Sequence, residues 1–539
     1  MPLVHHSDVL IIGAGGSGLA SAIHLNELLG NISISILCKT YAMGSHTTSA
    51  KGGINAALGN IHNDKISWHL HDTISSSKEL CDSSPTQKMC NEAPAVIDFL
   101  QEIGVNFDKT SNGKIDQRVY GGQTTQYGKG SLANRACFVK DHTGHAIMTA
   151  ITEKIHELPS VKIHNYIQAF KIISTNDYHI VTAYNISTGE IEFYSAKYVV
   201  FATGGFSQIY KTNSSSHLYT GCGHKMLFEI GARLKDIEMV QFHPTGIKNS
   251  GILISEACRS QGGYLVNSKG ERFMERYHHL KELAPRDVIS NAIHTELQNG
   301  EVFLDLTHIS EDIIKEKLIS SYNVAKHFAK VDLTTELISI APTAHYNMGG
   351  VMVDDDYHTG NNIYAIGELA CASVHGANRL GCNSLLELFT SAKFATQHIA
   401  SAFSKAQNIQ PEIQTASKNS DITFNEIENI KKQIQCIMET NASIVKNRHD
   451  MQTALNEIDG IYTTLKDLNN FKGIAFDEDF IALIETQSLV LMAKCVLTSA
   501  IFREHSIGAH QREDFSSPPQ TPQHTIIDNT FTVQYLDVS

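Results

Sequence analysis

The stretch Asp8-Val9-Leu10-Ile11-Ile12-Gly13-Ala14-Gly15-Gly16-Ser17-Gly18 is a short apolar run that leads into a G-x-G-x-x-G turn. The residues from Leu19 to Leu25 are mostly apolar, so the order strand, tight turn, helix is predicted. In this motif Gly13 permits the turn, Gly15 lets backbone N–H groups approach a pyrophosphate, and Gly18 lets helix and strand pack closely. The phosphates then lie at the positive end of the helix. The sequence therefore predicts an α/β fold with a Rossmann-like, dinucleotide-binding domain.

The choice of dinucleotide follows from the ends of three other predicted strands. The strand from Ile32 to Leu37 ends at Cys38-Lys39, where a NAD enzyme normally carries an acidic residue for the ribose. The strand from Tyr198 ends in small residues at Gly204-Gly205, and the strand from Ile363 ends at Glu368, which suits the ribityl or ribose of FAD. Strand ends that converge on one ligand are typical of open α/β sheets. The pattern favours FAD over NAD.

The segment from Ser45 to Gly53 places a histidine, His46, where the flavin ring of a bound FAD is expected. Neutral imidazole is nucleophilic and can be tethered to a ring carbon of the flavin. A flavin modified in this way is a stronger electron acceptor, which matters when the substrate is hard to oxidise. We therefore expect FAD to be bound covalently through His46.

Composition and length limit the other possibilities. A chain of 539 residues is expected to form about two to four domains. The formal charge of -13 argues against nucleic acid as a partner, but an anionic substrate needs only local positive charge. The ten cysteines lack paired metal-ligand spacing, so no metal site is expected in this chain. No apolar run is expected to span a membrane, and the first strand leaves no room for a leader before it.

The pattern of predicted elements divides the chain into four parts. The FAD-binding domain is expected to be discontinuous, from 1 to 235 and from 350 to 405, with an inserted α+β capping domain at 236–349. Three helix-length segments with apolar spacing near 3.6 predict a C-terminal helical bundle at 406–515. The rest, 516–539, begins with Ser-Ser-Pro-Pro and is predicted to be a turn-rich tail that lies on the surface or against a partner.

Five short segments carry polar residues that apolar packing does not explain. Together they supply three histidines, three arginines and a hydroxyl–carboxylate pair: Gln241 to Gly246, Ile254 to Arg259, Ala284 to Asp287, Thr343 to Asn347 and His375 to Leu380. Arginine provides a fork and histidine a point donor, so such a set can hold a small acid at two carboxylates. The segments therefore predict a dicarboxylate site.

The same residues resemble a known family over essentially the whole chain. The matching motifs follow the glycine turn in a fixed order. They are Ser45-His46-Thr47, Gly52-Gly53-Ile54-Asn55-Ala56-Ala57, Gly121-Gly122-Gln123, Asp141 with Thr143-Gly144-His145, His243-Pro244-Thr245-Gly246, Arg272-Phe273-Met274, the segment from His345 to Gly350, and His375-Gly376-Ala377-Asn378-Arg379. The chain resembles the flavoprotein subunit of succinate dehydrogenase and fumarate reductase, which is related to L-aspartate oxidase. The inserted domain then corresponds to that family's mobile capping domain.

The resemblance implies roles for individual residues. His46 corresponds to the residue bonded to the flavin, His243 and Arg379 to a clamp on one carboxylate, and Ser255 and His345 to a clamp on the other. Arg286 corresponds to the group that takes the proton, with Glu256 and Arg259 as the candidates for its relay, and Tyr120 lies in the substrate-binding set. The remaining cofactor-binding residues are expected to be Gly13, Ala14, Gly15, Gly16, Ser17, Gly18, Lys39, Ser45, Thr47, Ala50, Gly52, Gly53, Ala202, Thr203, Gly204, Glu368, Asn383, Ser384 and Leu385.

The resemblance also implies an activity and partners. The chain would oxidise succinate to fumarate and pass electrons to an iron–sulfur subunit and quinone, with a separate membrane-anchor subunit. The expected location is the cytoplasmic face of a bacterial inner membrane.

Three alternatives stay open. A fumarate reductase would use the same site in the reverse direction. L-aspartate oxidase shares the fold, but it lacks the tethering histidine and has a glutamate where this chain has Tyr120. An inactive flavin-binding assembly subunit is suggested only by departures from the family pattern at Lys51, Cys222 and Ile507.

Overall fold

A computed structural model describes residues 3–175, 178–406 and 418–539. The α-helices of this part are α1 (Gly16–Leu29), α2 (Ile66–Ser76), α3 (Ser83–Glu102), α4 (Thr143–His156), α5 (Cys222–Glu229), α6 (Ala257–Ser260), α7 (Arg286–Leu297), α8 (Glu311–Lys317), α9 (Ile319–Val324), α10 (Asn383–Ser401), α11 (Phe424–Asn441), α12 (Arg448–Leu465) and α13 (Glu478–Phe502).

The strands lie mostly before and between these helices. They are β1 (Val4–Ile12), β2 (Ile34–Cys38), β3 (Ile54–Asn55), β4 (Gln117–Thr124), β5 (Leu132–Cys137), β6 (Val161–Asn165), β7 (Ile167–Ser174), β8 (His179–Asn185), β9 (Ile191–Phe201), β10 (Leu234–Lys235), β11 (Val240–Ile247), β12 (Tyr264–Asn267), β13 (Val302–Asp305), β14 (Ile338–Asn347), β15 (Gly350–Met352), β16 (His358–Gly360), β17 (Ile363–Ala365), β18 (Ala370–Cys371), β19 (Lys418–Asn419), β20 (Val445–Lys446), β21 (Leu468–Asn469), β22 (Gln511–Arg512), β23 (Gln523–Ile527) and β24 (Val533–Asp537).

The largest sheet brings the three predicted strand ends together. Its main path runs β16-β17-β9-β1-β2-β6, and β1, β2, β9 and β17 are mutually parallel where they pair. Ile12 at the end of β1 pairs with Phe201, and Phe201 pairs with Ala365. Because parallel strands end at one edge, the segments after β1, β9 and β17 lie side by side there. The predicted α/β class is confirmed.

The glycine turn has the geometry that its sequence predicts. Gly13 has φ +114, and a Cβ at Gly18 would lie 2.0 Å from the carbonyl oxygen of Gly13. Any side chain at Gly18 would therefore push helix α1 away from the turn. The N-cap residue of α1, Gly15, has no side chain to cap the helix. The N–H of Gly16 donates to the Thr47 hydroxyl at 3.2 Å, so the N–H groups of Ser17 and Gly18 are the ones left for an anion.

The region 160–200 alternates apolar and polar residues, which predicts a small antiparallel sheet. Strands β7 and β8 form an antiparallel hairpin, but β8 pairs with β9, which itself lies in the main sheet. The hairpin is therefore an extension of the nucleotide-binding sheet.

A second apolar core lies within the chain segment from Ile247 to Ile340. It is covered by the four-stranded sheet β11-β14-β13-β12 and by helix α7, which packs on β11 and β14. This sheet and core lie between β10 and β15 in the chain and form a layer of their own. The boundaries 236 and 349 for a capping domain stay a prediction.

The C-terminal part contains the three predicted helices, α11, α12 and α13, which pack on one another. Helix α13 has the length and the mean hydropathy, 1.7, of a membrane span, contrary to the expectation that no such stretch exists. However, 83% of its most apolar window is buried inside the structure, which is the environment of a core helix.

The expectation of a turn-rich surface tail after residue 516 is wrong for the segment from Gln523 to Ile527. Strand β23 pairs with β10 and β24, and its residues from His524 to Ile527 are buried. The pairing partner of β23 lies almost 300 residues earlier, so the local turn-rich composition gave no sign of it.

Candidate active site

Two cavities open beside the carboxyl ends of β1, β9 and β17. The larger measures about 1200 Å³ and the smaller about 130 Å³. They share five wall residues: His46, Thr47, Tyr219, Glu368 and Leu388. The two cavities therefore form one elongated space, with the glycine turn at one end and the predicted substrate residues at the other.

Most of the predicted cofactor-binding residues line this space. The smaller cavity is lined by Gly13, Ala14, Gly15, Gly16, Ser17, Lys39, Ser45, His46, Thr47, Ala202, Thr203, Gly204 and Glu368. The larger is lined by His46, Thr47, Ala50, Gly52, Gly53, Glu368, Ser384 and Leu385. Gly18 instead packs against the turn, as its close contact with Gly13 shows.

The walls have the donor set that a dinucleotide with a flavin ring needs. Among the described residues, the hydroxyls of Thr203 and Ser215 are buried without a hydrogen-bond partner. Thr203 borders the smaller cavity and Ser215 the larger, so an unpaired hydroxyl faces each end. The uncapped N-terminus of α1 supplies backbone N–H groups at the smaller end. The residues present therefore fit FAD.

His46 lies in the wall common to the two cavities. Burial lowers its pKa to about 4, so the imidazole is neutral at physiological pH. The backbone N–H of Ser216 donates to Nδ1 of His46 at 3.3 Å, and the ring packs edge-on against Tyr219. Only Nε2 is then free to react, and a neutral ring is the form that can attack an electrophilic carbon.

Glu368 and Lys39 differ in the charge they present to the cofactor end. Burial raises the pKa of Glu368 to about 8, and its Oε1 accepts the backbone N–H of Asn347 at 3.0 Å. A protonated Glu368 can donate to a hydroxyl or carbonyl of a ligand. The ammonium of Lys39 forms an ion pair with Glu485 of α13. Burial lowers the Lys39 pKa to about 8.

The predicted substrate residues converge on the larger cavity. Its wall contains all seven of them: Tyr120, His243, Ser255, Glu256, Arg286, His345 and Arg379. They come from β4, β11, the start of α6, α7, β14 and the loop before α10. The rings of His243 and His345 have centroids 5.0 Å apart. Residues separated in sequence by more than 200 positions are thus brought to one site.

Both histidines are held neutral. Burial lowers the pKa of His243 well below its usual value, and the charges of Arg286 and Arg379 add to this effect. The pKa of His345 is lowered for the same reasons. The Nδ1 of His243 accepts the backbone N–H of Thr245 at 3.2 Å. The single ring proton of His243 therefore lies on Nε2, where it can be donated to a carboxylate.

Arg286 is fixed by two side chains. Its Nε and Nη2 donate to Oε2 of Glu256 at 3.0 and 2.9 Å, and its Nη1 donates to Gln241 at 3.0 Å. Burial opposes the charge on Glu256, but Arg286, Arg259 and the N–H of Gly121 outweigh burial and lower its pKa. Glu256 is therefore ionised, and the pair is buried as a charge-assisted hydrogen-bonded unit.

Arg379 is less completely bound. Its Nη1 donates to Ser384 at 3.1 Å, its guanidinium lies over the ring of Tyr346, and its Nε has no partner among the described residues. Burial lowers its pKa to about 10, which still leaves it charged. An unpaired N–H of a buried cation that borders the cavity is a site for an anion.

One predicted cofactor-binding residue is placed differently from the expectation. The side chain of Asn383 does not line either cavity, because its Oδ1 accepts from Asn55 and its Nδ2 donates to Thr73. It therefore holds the start of α10. The phenol of Tyr120 donates to the carbonyl of Gly52 at 2.7 Å, so only its ring is offered to the cavity.

Three residues of the site were missed by sequence reasoning. Gln241 lies in a segment that was singled out, but nothing local shows that it holds Arg286. Ser214 and Ser216 lie in an ordinary serine-rich loop, and only the fold places them beside His345 and His46. Among residues 3–175, 178–406 and 418–539, no group of three or more His, Cys, Asp and Glu side chains is arranged to hold a metal ion.

Comparisons with known proteins agree with this geometry. Residues 8–385 match a family model described as an FAD binding domain, and residues 431–539 match one described as the C-terminal part of the fumarate reductase flavoprotein. The chain is 37% identical to the succinate dehydrogenase flavoprotein subunit of Rickettsia bellii, over 97% of this chain and 93% of that protein. It is 30% identical to the fumarate reductase flavoprotein subunit of Mycobacterium tuberculosis, over 99% and 97%.

A solved structure extends the comparison to three dimensions. The E. coli quinol fumarate reductase flavoprotein with a single Glu-to-Gln substitution superposes with a TM-score of 0.91 at 28% identity, over 99% of this chain and 97% of that one. The predicted resemblance and the use of FAD are confirmed. The chain belongs to the family of FAD-dependent flavoprotein subunits of succinate dehydrogenase and fumarate reductase.

Proposed function

We propose that this chain is the flavoprotein subunit of a succinate dehydrogenase and oxidises succinate to fumarate. The observation that supports this most directly is the content of the larger cavity. It brings donors for two carboxylates and a buried Arg286–Glu256 pair into one wall with His46, at the end of an FAD-shaped space. The relatives from Rickettsia bellii and Coxiella burnetii, 37% and 35% identical, are succinate dehydrogenase flavoprotein subunits, which supports this direction of the reaction.

The two carboxylates of the substrate would be held at opposite ends. His243 and Arg379 bind one carboxylate, through Nε2–H of the histidine and the free Nε–H of the arginine. Ser255 and His345 bind the other, from the capping segment and from strand β14. Neutral histidines suit this task, because they donate without adding charge that would have to be neutralised in a buried site.

FAD, when bound, accepts the hydride that leaves one methylene carbon of succinate. The proton of the neighbouring carbon passes to the Arg286–Glu256 pair. A guanidinium alone is a poor base in water, since its pKa is above about 12. Arg286 is desolvated here, and it shares two hydrogen bonds with an ionised carboxylate that can take the proton onward. Gln241 keeps the third arm of Arg286 fixed, so the proton-accepting atoms do not rotate away.

Contacts between the capping segment and the rest of the chain would exclude water from the reaction. Gly121 N–H donates to Glu256 at 3.1 Å, Ser320 N–H donates to Asp141 at 2.5 Å, and Asn378 donates to Asp287 at 3.0 Å. The three contacts lie at separate points along the boundary between the capping segment and the rest of the chain. A dry cavity strengthens every charge–charge contact that the substrate makes.

FAD is proposed to be attached through Nε2 of His46. An imidazole substituted at Nε2 keeps a lone pair on Nδ1, and the N–H of Ser216 already faces that atom. The attachment would raise the oxidising power of the flavin, as succinate oxidation requires.

Electrons would leave for an iron–sulfur subunit and then quinone, with a membrane-anchor subunit completing the assembly. The similar solved structures include a quinol fumarate reductase and a succinate dehydrogenase complex with bound quinone, which supports partner subunits of this kind. A peripheral position at the cytoplasmic face of a bacterial inner membrane follows from this assembly. We propose the domain boundaries given above because the segment from Ile247 to Ile340 has an apolar core and a four-stranded sheet of its own.

The alternatives have less support. Fumarate reduction would use the same side chains in reverse, and the electron donor or acceptor decides the direction. L-aspartate oxidation needs an anion near the substrate ammonium, but Tyr120 offers only its ring and Glu256 is engaged by Arg286. An inactive assembly subunit would not need to keep seven polar side chains together in one cavity.

The test is a dye-linked assay of the purified, FAD-loaded chain. Succinate should reduce the dye, and malonate should inhibit competitively because it presents two carboxylates. Fumarate should be reduced when a low-potential donor is supplied. Reduction of the dye by L-aspartate and not by succinate would contradict the proposal.

A further inference from the structure

We propose that Ser214 is a positioning residue for the reaction: its hydroxyl donates to Nδ1 of His345 and thereby holds the ring proton on Nε2, which faces the substrate. This inference rests on the proposed function, because it assigns His345 a carboxylate to bind. It adds a residue that no motif in the sequence singles out.

The fold places Ser214 beside His345 by backbone pairing. Ala344 N–H donates to the carbonyl of Thr212 at 3.0 Å, and Ser214 N–H donates to the carbonyl of Ala344 at 2.9 Å. The loop thus runs parallel to β14 for one residue pair, Asn213 and Ala344. The Oγ of Ser214 then lies 2.8 Å from Nδ1 of His345. The short distance is fixed by main-chain hydrogen bonds on both sides.

His345 needs such a partner because a neutral imidazole carries only one N–H. Burial, Arg286 and Arg379 lower the pKa of His345 well below its usual value, so the ring is neutral. A carboxylate is an acceptor only. His345 therefore binds a carboxylate through Nε2 only when its proton is on Nε2 and Nδ1 accepts from another group.

Ser214 has two possible acceptors, and the distances favour the ring. Its Oγ is 2.8 Å from Nδ1 of His345 but 3.3 Å from the carbonyl of Ala344. Donation to the ring leaves the proton on Nε2. Donation to Ala344 would require Nδ1–H of His345 to donate to Oγ, and Nε2 would then present a lone pair to the substrate. A bound carboxylate repels that lone pair, so substrate binding selects the first arrangement.

The other two histidines also accept a hydrogen bond at Nδ1, one from the same loop and one from strand β11. Ser216 N–H donates to Nδ1 of His46, and Thr245 N–H donates to Nδ1 of His243. Those donors are backbone N–H groups, which can donate a hydrogen bond but cannot accept one, so the proton of each ring stays on Nε2. The Thr245 hydroxyl also lies 3.4 Å from Nδ1 of His243, but it donates to the carbonyl of Ile254 at 2.8 Å. The tautomer of His345 therefore depends on a side-chain hydroxyl, whereas those of His46 and His243 depend on backbone N–H groups.

The experiment compares S214A with S214T in the FAD-loaded chain. Dissociation constants for malonate and fumarate are measured from the change in flavin absorbance, alongside KM and kcat for succinate. S214A should weaken both ligands and raise KM by about tenfold, which is the loss of one well-placed hydrogen bond. The kcat should change less than KM, and S214T should restore binding to within about twofold of the parent chain.

The matched control is S187A, which removes an exposed serine hydroxyl in the turn between β8 and β9, outside both cavities. Equal weakening in S214A and S187A, or no rescue by S214T, would overturn the inference. So would unchanged ligand binding in S214A. Failure of the parent chain to bind any dicarboxylate would instead refute the proposed function, so the two failures can be distinguished.

Discussion

Oε2 of Glu256 accepts from both Nε and Nη2 of Arg286, at 3.0 and 2.9 Å, at the wall of the cavity that also contains His46. One carboxylate oxygen thus receives two hydrogen bonds from one guanidinium, and Oε1 of Glu256 is left to the N–H of Gly121. This arrangement gives the proposed proton transfer a direction, from the substrate through Arg286 to Glu256.

Replacement of Glu256 by glutamine should separate binding from proton transfer. Glutamine has the same size and can still accept from Arg286, but it cannot carry the proton. We expect kcat for succinate to fall by about 100-fold while the dissociation constant for malonate changes by about twofold or less. The control is Glu428→Gln, because Glu428 lines the same cavity but pairs with Lys431. A kcat within about threefold of the parent chain would show that Glu256 is not the relay.

Replacement of His46 by serine should release the flavin from covalent attachment. The glycine turn and α1 are untouched, so the folded variant should still bind FAD and be yellow before it is precipitated. Acid precipitation should leave its pellet colourless, whereas the pellet of the parent chain should be coloured. Succinate oxidation should fall by about tenfold more than fumarate reduction, because an unattached flavin is a weaker oxidant. His142→Ser, an exposed histidine at the same cavity, is the control. A coloured pellet from His46→Ser would place the attachment elsewhere.

Lys51 should raise the reduction potential of the flavin. It lies in the cavity wall between Ala50 and Gly52, where burial lowers its pKa and Asp141 and Cys258 partly offset this. A cation here favours the anionic reduced flavin. The two-electron midpoint potential of Lys51→Gln should therefore be lower by about 30 to 60 mV, measured by spectroelectrochemistry. Lys269→Gln changes an exposed lysine and should leave the potential unchanged. Equal potentials in the two variants would mean that the Lys51 ammonium does not act on the ring.

Because of His524, the chain should become less stable as the pH rises. Its Nδ1 lies 2.5 Å from Asp236 and its Nε2 lies 3.3 Å from Asp82, which ties β23 to two other segments. Burial opposes the charge on His524, but the two carboxylates outweigh burial and raise its pKa. The stabilisation is therefore complete below the unfolded pKa of about 6.5 and is lost as the pH rises through the folded pKa.

The measurement is the midpoint temperature of unfolding for the parent chain and His524→Gln. Their difference should be largest near pH 6 and should shrink towards pH 9, as the parent chain loses its charge. His449→Gln, at an exposed position on α12, should match the parent chain at both values. A difference that is constant with pH would mean that His524 is not charged in the folded state.

The sequence predicts those parts of the molecule that depend on local chemistry. The glycine turn requires Gly13 and Gly18, because only glycine tolerates the backbone angles and the close contact found there. The three strand ends could be assigned to one ligand because each strand is a short apolar run with small or acidic residues after it. The substrate residues could be named as a group, since apolar packing does not account for them.

Other features depend on pairing between distant segments and leave no local pattern. Strand β23 follows a proline-rich stretch and pairs with β10, almost 300 residues earlier in the chain, as well as with β24. Ser214 becomes a partner of His345 only because its loop pairs with β14. Asn383 was expected at the cofactor from the family resemblance, whereas the Asn55 amide of β3 and the Thr73 hydroxyl of α2 take up its side chain.

The central claim is that this chain oxidises succinate at the cavity beside His46. The measurement that tests it most directly is an anaerobic titration of the FAD-loaded chain, with the flavin absorbance followed as succinate or L-aspartate is added to separate samples. Succinate should bleach the flavin with one equivalent of fumarate formed per flavin, and L-aspartate should leave the spectrum unchanged. Bleaching by L-aspartate, or a flavin that neither compound reduces, would contradict the account.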